Sequence, residues 1–369
     1  MQLELVDVTK KFEGFTLGPL NLKVNNNEIL VMIGPTGSGK TTVLNLICGL
    51  LKPDSGSILV DGIDITTIPV ESRKIGYTFQ DPSLFPHFNV YQNIVFGLAR
   101  KTAGKKNTIV EITRLLDDLG ISQLTNRRIQ GLSGGEMQKV SLARMLITKP
   151  RIILMDEPLA HLDWLTKRKL RIELRHILRK QGTPTICVTH FEDDVYALAD
   201  CVSVLQNGAI EYTARLESIL VGHQNNDNSN DNPPLGFLSD TIPSVQGSNY
   251  LEGKVMKSKN GLTTFKVGST LLETLGDHNI GSKVGIFLRP EDIILSKQTV
   301  KTSARNVVKS KVAKITNNNV GIVYVHLMVD GFHMTSRITE EAIADLQICE
   351  DDEVFAIFKA SSPQVIREE

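Results

Sequence analysis

The sequence predicts an α/β phosphate-loop domain followed by an all-β C-terminal domain. Three observations carry this. The apolar run Ile29–Ile33 leads directly into Gly34-Pro35-Thr36-Gly37-Ser38-Gly39-Lys40-Thr41, after which Val43, Leu44, Ile47, Leu50 and Leu51 recur at helical spacing. Two later apolar runs, residues 151–156 and Thr185–Val188, end in Asp156-Glu157 and Thr189-His190. Beyond about residue 250, helix signals nearly vanish and short alternating segments take over.

The loop fits the phosphate-binding pattern G-x-x-x-x-G-K-[ST]. Its glycines let the backbone turn tightly, so that several N–H groups and the helix N-terminus point at one anion. In that pattern Lys40 bridges the β- and γ-phosphates and Thr41 offers its hydroxyl to Mg²⁺. The chain is therefore expected to bind a nucleoside triphosphate.

Upstream, residues 2–8 and 16–24 read as strands around a turn at residues 10–14. Phe12, beside that turn, has two readings: a cap on a core edge or a stacking platform. Downstream come a strand at 57–60, a strand at 75–80 ending in Gln80, and an aperiodic segment, residues 82–90, rich in Pro and Phe. Its exposed apolar composition suits a partner surface. Thr108-Ile109-Val110-Glu111 has the spacing of a capping box opening a helix that Gly120 ends. Leu132-Ser133-Gly134-Gly135-Glu136 precedes another helical pattern. Ser133 and Glu136 form a capping box there, or serine, Gly134, Gly135 and the helix dipole together bind phosphate. Asp156 and Glu157 are either a solvated strand end or a Mg²⁺-holding, water-orienting pair. Asp163 caps a basic helix running to about residue 180, and Asn207-Gly208 turns a hairpin. In the C-terminal part strands are expected near 251–256, 262–266, 284–288, 307–316, 320–328 and 353–359. One short helix, about 340–346, is expected there, capped by Thr339.

Composition sets bounds. The 369 residues suit two or three domains, and 41% hydrophobic with 22% charged residues is ordinary for globular protein. Formal net charge is zero, from 41 basic and 41 acidic residues, which speaks against an extended nucleic-acid surface. Cys48, Cys187, Cys201 and Cys349 are scattered and suit a reducing compartment rather than a disulfide or zinc framework. The first residues alternate like a strand and show no signal sequence, and no apolar run reaches bilayer-spanning length. A membrane role is expected to come through a partner.

The order phosphate loop, Gln80, Leu-Ser-Gly-Gly-Glu, Asp156-Glu157 and His190 resembles the ATP-binding-cassette (ABC) ATPases over residues 1–225. That resemblance implies a mixed sheet with a helical subdomain, ATP and Mg²⁺ as cofactors, and a head-to-tail homodimer. In it the phosphate loop of one subunit, with Lys40, Thr41 and Thr42, faces Ser133–Glu136 of the other. It implies that Asp156 supports the metal with Thr41 and Gln80, that Glu157 polarises the attacking water, and that His190 holds the γ-phosphate. Asp163 would communicate across the dimer, and Phe12 would stack on adenine. Residues 226–249 read as a linker. Residues 250–369 resemble the regulatory domain of importer ATPases through Gly285-Ile286-Phe287-Leu288-Arg289-Pro290-Glu291-Asp292-Ile293. Residues 303–361, with Ser303, Arg305, Asn306 and Lys309, are similar to small molybdate- and tungstate-binding barrels. The whole therefore resembles the ATPase subunit of molybdate/tungstate importers, with sulfate, ferric-ion or sugar importers as the alternative. A soluble cassette ATPase acting on nucleic acid or ribosomes fits less well. The implied partners are a transmembrane permease, indirectly an extracytoplasmic binding protein, and regulatory molybdate or tungstate, with the chain peripheral at the cytoplasmic membrane face. Met137, Lys139, Ala160-His161 and Phe191 depart from the family's usual residues.

Overall fold

The computed structural model describes residues 1–98, 106–216, 218–219, 249–318 and 321–368. They form two compact units, Met1–Leu216 and Glu217–Glu369. The linker expected at 226–249 lies almost wholly outside the described residues.

In the first unit the strands are β1 (Leu3–Phe12), β2 (Phe15–Val24), β3 (Ile29–Ile33), β4 (Ser55–Val60), β5 (Ile63–Asp64), β6 (Ile75–Thr78), β7 (Ile152–Asp156), β8 (Thr185–Val188), β9 (Cys201–Gln206) and β10 (Ala209–Arg215). Its helices are α1 (Lys40–Cys48), α2 (Val90–Val95), α3 (Lys106–Asp118), α4 (Gly134–Leu146), α5 (Trp164–Gln181) and α6 (Glu192–Leu198). One sheet has the order β10-β9-β3-β8-β7-β6, parallel except for β10, and the other is the antiparallel β2-β1-β4-β5. Every residue of β3, β7 and β8 is buried, as strands covered on both faces must be. Helix α1 joins the two sheets. Its Val43, Leu44, Leu46 and Ile47 pack in one cluster with Leu3, Leu17 and Ile58 from the antiparallel sheet and Leu30, Met32 and Leu154 from the parallel one. Each such side chain contributes roughly 1.5–3 kcal/mol by leaving water.

Helix α3 starts at Lys106, so Thr108 lies inside it and the Thr108–Glu111 capping box does not open the helix. Gly120, with φ of 64°, takes the left-handed conformation after it as expected. The aperiodic segment is ordered by side chains rather than by period. Asn89 and Gln92 form a capping box for α2, which the sequence reading did not foresee. Fully buried Asn93 clasps Phe85, accepting from its N–H at 2.9 Å and donating to its carbonyl at 3.1 Å.

The second unit contains β11 (Asn249–Lys259), β12 (Leu262–Val267), β13 (Thr270–Leu275), β14 (Lys283–Leu288), β15 (Ile294–Ser296), β16 (Asn306–Asn318), β17 (Ile322–Val329), β18 (Phe332–Thr339), α7 (Glu340–Leu346), β19 (Glu353–Phe358) and β20 (Gln364–Glu368). Two five-stranded antiparallel sheets, β13-β12-β11-β14-β20 and β15-β19-β16-β17-β18, share one apolar core. Thr339 caps α7 by accepting from the Ala342 N–H at 3.2 Å. β13, β15, β18 and β20 escaped the sequence reading: β15 is three residues long, and β18 buries Met334, Thr335 and Ser336 in succession and so lacks alternation.

A half-buried ionic knot fastens α5 to the start of β3. Asp200 accepts from the Ile29 N–H at 2.9 Å and from Arg175 at 3.2 Å, and also from Arg179. Asp200→Ala is expected to cost about 2–3 kcal/mol in denaturant unfolding, since charge-assisted bonds in a half-buried site are lost together. Glu353→Ala, which removes the exposed partner 2.9 Å from Lys309, is expected to stay within about 0.5 kcal/mol of the parent.

Candidate functional site

Parallel strands deliver their carboxyl ends to one edge of the sheet, and the loops leaving β3, β6, β7 and β8 meet there. The loop from β3 is held by close approach. A Cβ on Gly34 would stand 2.0 Å from the Leu205 carbonyl oxygen, and Gly39 caps α1 at a φ of 103°. Lys40 folds back over this loop, donating to the carbonyls of Gly34 and Pro35 at 2.8 Å each. Burial lowers the pKa of Lys40, against the opposing pull of Glu157 and Asp156. Ser38 Oγ is buried with no hydrogen-bond partner, while Pro35, Thr36 and Gly37 are exposed and Thr42 is half-buried. An orphaned hydroxyl and a lysine resting on its own loop fit a site built for a polyanion.

From β7, Asp156 is 8% exposed and burial raises its pKa, moderated by the hydrogen bond from Thr41 and reinforced by the neighbouring Glu157. Tyr77 on β6 stands with its hydroxyl 3.5 Å from Asp156 and 3.4 Å from Asn45. Glu157 adopts a left-handed φ of 44°, a strained backbone for a non-glycine residue at a turn that its N–H fixes by bonding the Val188 carbonyl at 2.9 Å. Its carboxylate meets His190 Nδ1 at 2.9 Å and accepts from Gln80 Nε2 at 3.3 Å. So Lys40, Thr41, Gln80, Asp156, Glu157 and His190, scattered over 150 residues of sequence, gather at one edge. Thr41 and Asp156 fit a Mg²⁺ ion, which needs only one or two protein oxygens beside phosphate and water.

Phe12 is exposed, not a core cap, and its ring stacks 6.4 Å from Phe15, which itself lies against Gly39. Ser133 and Glu136 form the reciprocal capping box: the Glu136 carboxylate accepts from the Ser133 N–H at 2.8 Å and the Glu136 N–H donates to Ser133 Oγ at 3.3 Å. Gly134 lies against Leu162, and a Cβ on Gly135 would stand 2.6 Å from the Thr166 side chain. Asp163 caps α5, accepting from the Thr166 N–H at 3.1 Å.

In the second unit, Ser303, Arg305, Asn306 and Lys309 do not converge within one chain. The buried Asn306 amide clasps the backbone of Glu273, at 2.7 Å from its N–H and 2.9 Å from its carbonyl. Arg305 pairs with the Glu273 carboxylate at 3.2 Å, Lys309 pairs with Glu353, and Ser303 is exposed. Asn306 is thus engaged by a neighbouring strand, while Arg305 and Lys309 hold ion pairs at the surface.

Sequence reasoning missed Tyr77, Phe15 and Lys167 around the site. Tyr77 carried a signal, an aromatic three positions before Gln80 in the same expected strand. Lys167 carried only its position one turn after Asp163.

Residues 17–160 match the ABC transporter family model, and residues 302–363 match the TOBE domain. The molybdate/tungstate import ATP-binding protein of Pyrococcus horikoshii is 35% identical over 98% of this chain and 99% of its own length. The chain belongs to the ABC transporter family. It is the ATPase of an ABC importer, with an ATP-binding unit and a TOBE-containing unit. The sulfate/thiosulfate import ATP-binding protein of Bacillus cereus is 33% identical over 96% of each chain. The spermidine/putrescine import ATP-binding protein of Acetivibrio thermocellus is 36% identical over 79% of each. Among solved structures, an ATP-binding cassette of an ABC transporter in its ADP conformation covers 59% of this chain and 92% of its own, at 27% identity and a TM-score of 0.52. No helix among the described residues is long and apolar enough to cross a membrane.

The raised pKa of Asp156 means that its ionised form costs this ABC ATPase stability at neutral pH while no cation is bound. The sign follows from linkage: a carboxylate with a folded pKa above its unfolded value loses stability as pH rises through that range. Asp156→Asn is expected to raise the melting temperature of the nucleotide-free protein. It is also expected to lower ATPase turnover by about 100-fold, since a neutral amide supports metal charge poorly. Calorimetry and phosphate release check the two halves.

Proposed function

We propose that this ATPase energises import of molybdate or tungstate. Full-length similarity to the Pyrococcus horikoshii protein, reaching 98% and 99% of the two chains, carries the reading. Importers of sulfate and polyamines are the alternatives, favoured by comparable identities. Reconstituted importer separates these: ATPase stimulation by molybdate- or tungstate-loaded binding protein is expected, and stimulation by sulfate- or polyamine-loaded protein alone contradicts the cargo.

In the reaction we assign, Lys40 leaves its loop carbonyls to contact the β- and γ-phosphates, with Ser38 and the loop N–H groups as further donors. A bound Mg²⁺, held by Thr41 and Asp156 with Gln80 nearby, supplies charge neutralisation at the phosphates. Glu157 accepts a hydrogen bond from the attacking water and polarises it, and His190 holds the γ-phosphate. Thr42 contacts phosphate and Phe12 stacks on adenine. Ser133 and Gly134 are exposed at the N-terminus of α4, open to a second copy in a head-to-tail dimer. There the helix N-terminus of a second copy, with Gly134, Gly135 and neighbouring Asp163, completes the site.

The permease is received, in this reading, at the aromatic cluster following Gln80. Phe85 and Phe96 rings lie 4.3 Å apart, Phe88 lies 5.5 Å from Phe85, and Arg144 fixes the loop through the Ser83 and Pro82 carbonyls at 2.9 and 3.0 Å. The chain would then sit peripherally at the cytoplasmic face.

Glu157→Gln is expected to retain ATP affinity within about threefold and to lose turnover by roughly 10²–10⁴-fold, the scale of a lost general base. ATP should then hold it as a dimer on size-exclusion chromatography. Near-parental steady-state phosphate release would remove Glu157 from this role.

A further inference from the structure

The residue after His190 is Phe191, and its ring sits between two unlike neighbours. The His190 imidazole lies with its centroid 3.9 Å from the Phe191 centroid, at an interplanar angle of 38°. The Lys167 ammonium stands 3.7 Å from the same ring. Lys167 is 9% exposed, so its charge is withdrawn from water and the electron-rich ring face is a natural neighbour for it. His190, by contrast, has a side chain 52% exposed, bonded to Glu157. A half-exposed imidazole on two rotatable bonds gains a defined orientation from a packed ring beside it.

The backbone of the same loop is pinned separately. Buried Thr189 Oγ1 donates to Asp194 at 2.8 Å and accepts from the Phe191 N–H at 3.1 Å, and Arg171 bonds Asp194 at 2.6 Å and Asp193 at 3.1 Å. Both Lys167 and Arg171 project from the first two turns of α5. The Lys167 N–H closes the first turn by bonding the carbonyl of Asp163 at 2.9 Å.

We propose that Lys167 and Phe191 are positioning residues for His190, forming a stack that carries the position of the α5 N-terminus to the imidazole. The inference rests on the reading of His190 as the γ-phosphate contact. Movement of Asp163 and the first turn of α5 displaces the Lys167 charge, the ring follows, and His190 shifts relative to Glu157. The turn that carries Asp163 thereby sets catalytic geometry 27 residues downstream without touching nucleotide through this route. Because the stack orients a group and binds no substrate, its loss should appear in kcat and not in KM.

The test uses the purified full-length protein, with its permease where turnover requires it. Phe191→Leu keeps apolar bulk and removes the ring face; Lys167→Met keeps the stem and removes the charge. Each is expected to lower kcat by roughly tenfold, within the range that a small misplacement produces, with KM for ATP unchanged. Phe191→Tyr and Lys167→Arg should restore turnover. Neither Phe191→Leu nor Lys167→Met should slow a His190→Ala enzyme further, because the group they orient is gone. Lys167→Met carries the same test should Phe191→Leu not fold. Penalties that multiply with His190→Ala would overturn the proposal, as would parental kcat in both stack variants beside a slow His190→Ala. Parental turnover in His190→Ala itself would instead sink the γ-phosphate reading, and this proposal with it.

Discussion

A single fully buried strand, Ile29–Ile33, held between β8 and β9, is the constraint on which the first unit depends. Its last residue fixes where the phosphate loop emerges, and the Leu205 carbonyl of the next strand leaves room only for a glycine there. Helix α1 then runs back into the shared core of both sheets, so the loop cannot move without disturbing Leu44 and Ile47. The anion-binding geometry is thus set by apolar packing before any ligand arrives.

Charge at that edge is arranged in a resting pattern. Lys40 is spent on its own loop, Glu157 is shared by His190 and Gln80, and Asp156 is shielded by Thr41. Each group has a partner that a triphosphate, a metal ion or a water would replace. Replacement of one set of polar contacts by another keeps the net cost of binding small, while the preformed edge needs little reorganisation to make the new ones. Ser38 is different, since its buried hydroxyl has nothing to give up.

Much of this was legible in the sequence. The phosphate loop, the capping box at Ser133, the Asp163 cap and the Asn207-Gly208 hairpin are local signals, each set by residues a few positions apart, and the structure has all of them. What remained closed was non-local. Phe12 read two ways, as a core edge or as the stacking platform the family resemblance implies, and only its exposure and its partner Phe15 place it beside Gly39. Asn306 looked like an anion donor by residue type, yet both its amide atoms are taken by a strand 33 residues away in sequence. Thr108 had the spacing of a cap, but the helix starts before it. Composition and spacing report what a side chain offers, and not which neighbour has already claimed it.

In the reaction assigned above, Lys40 rests on its loop ready to be transferred to phosphate, and contributes little to the fold. Isothermal titration of Lys40→Met with Mg·ATP tests this most directly, alongside thermal unfolding of the same protein without nucleotide. An unfolding temperature close to the parent is expected, with an affinity weaker by about 100-fold or more from loss of a charge-assisted contact to phosphate. An affinity within threefold of the parent, in a protein that unfolds normally, would contradict it.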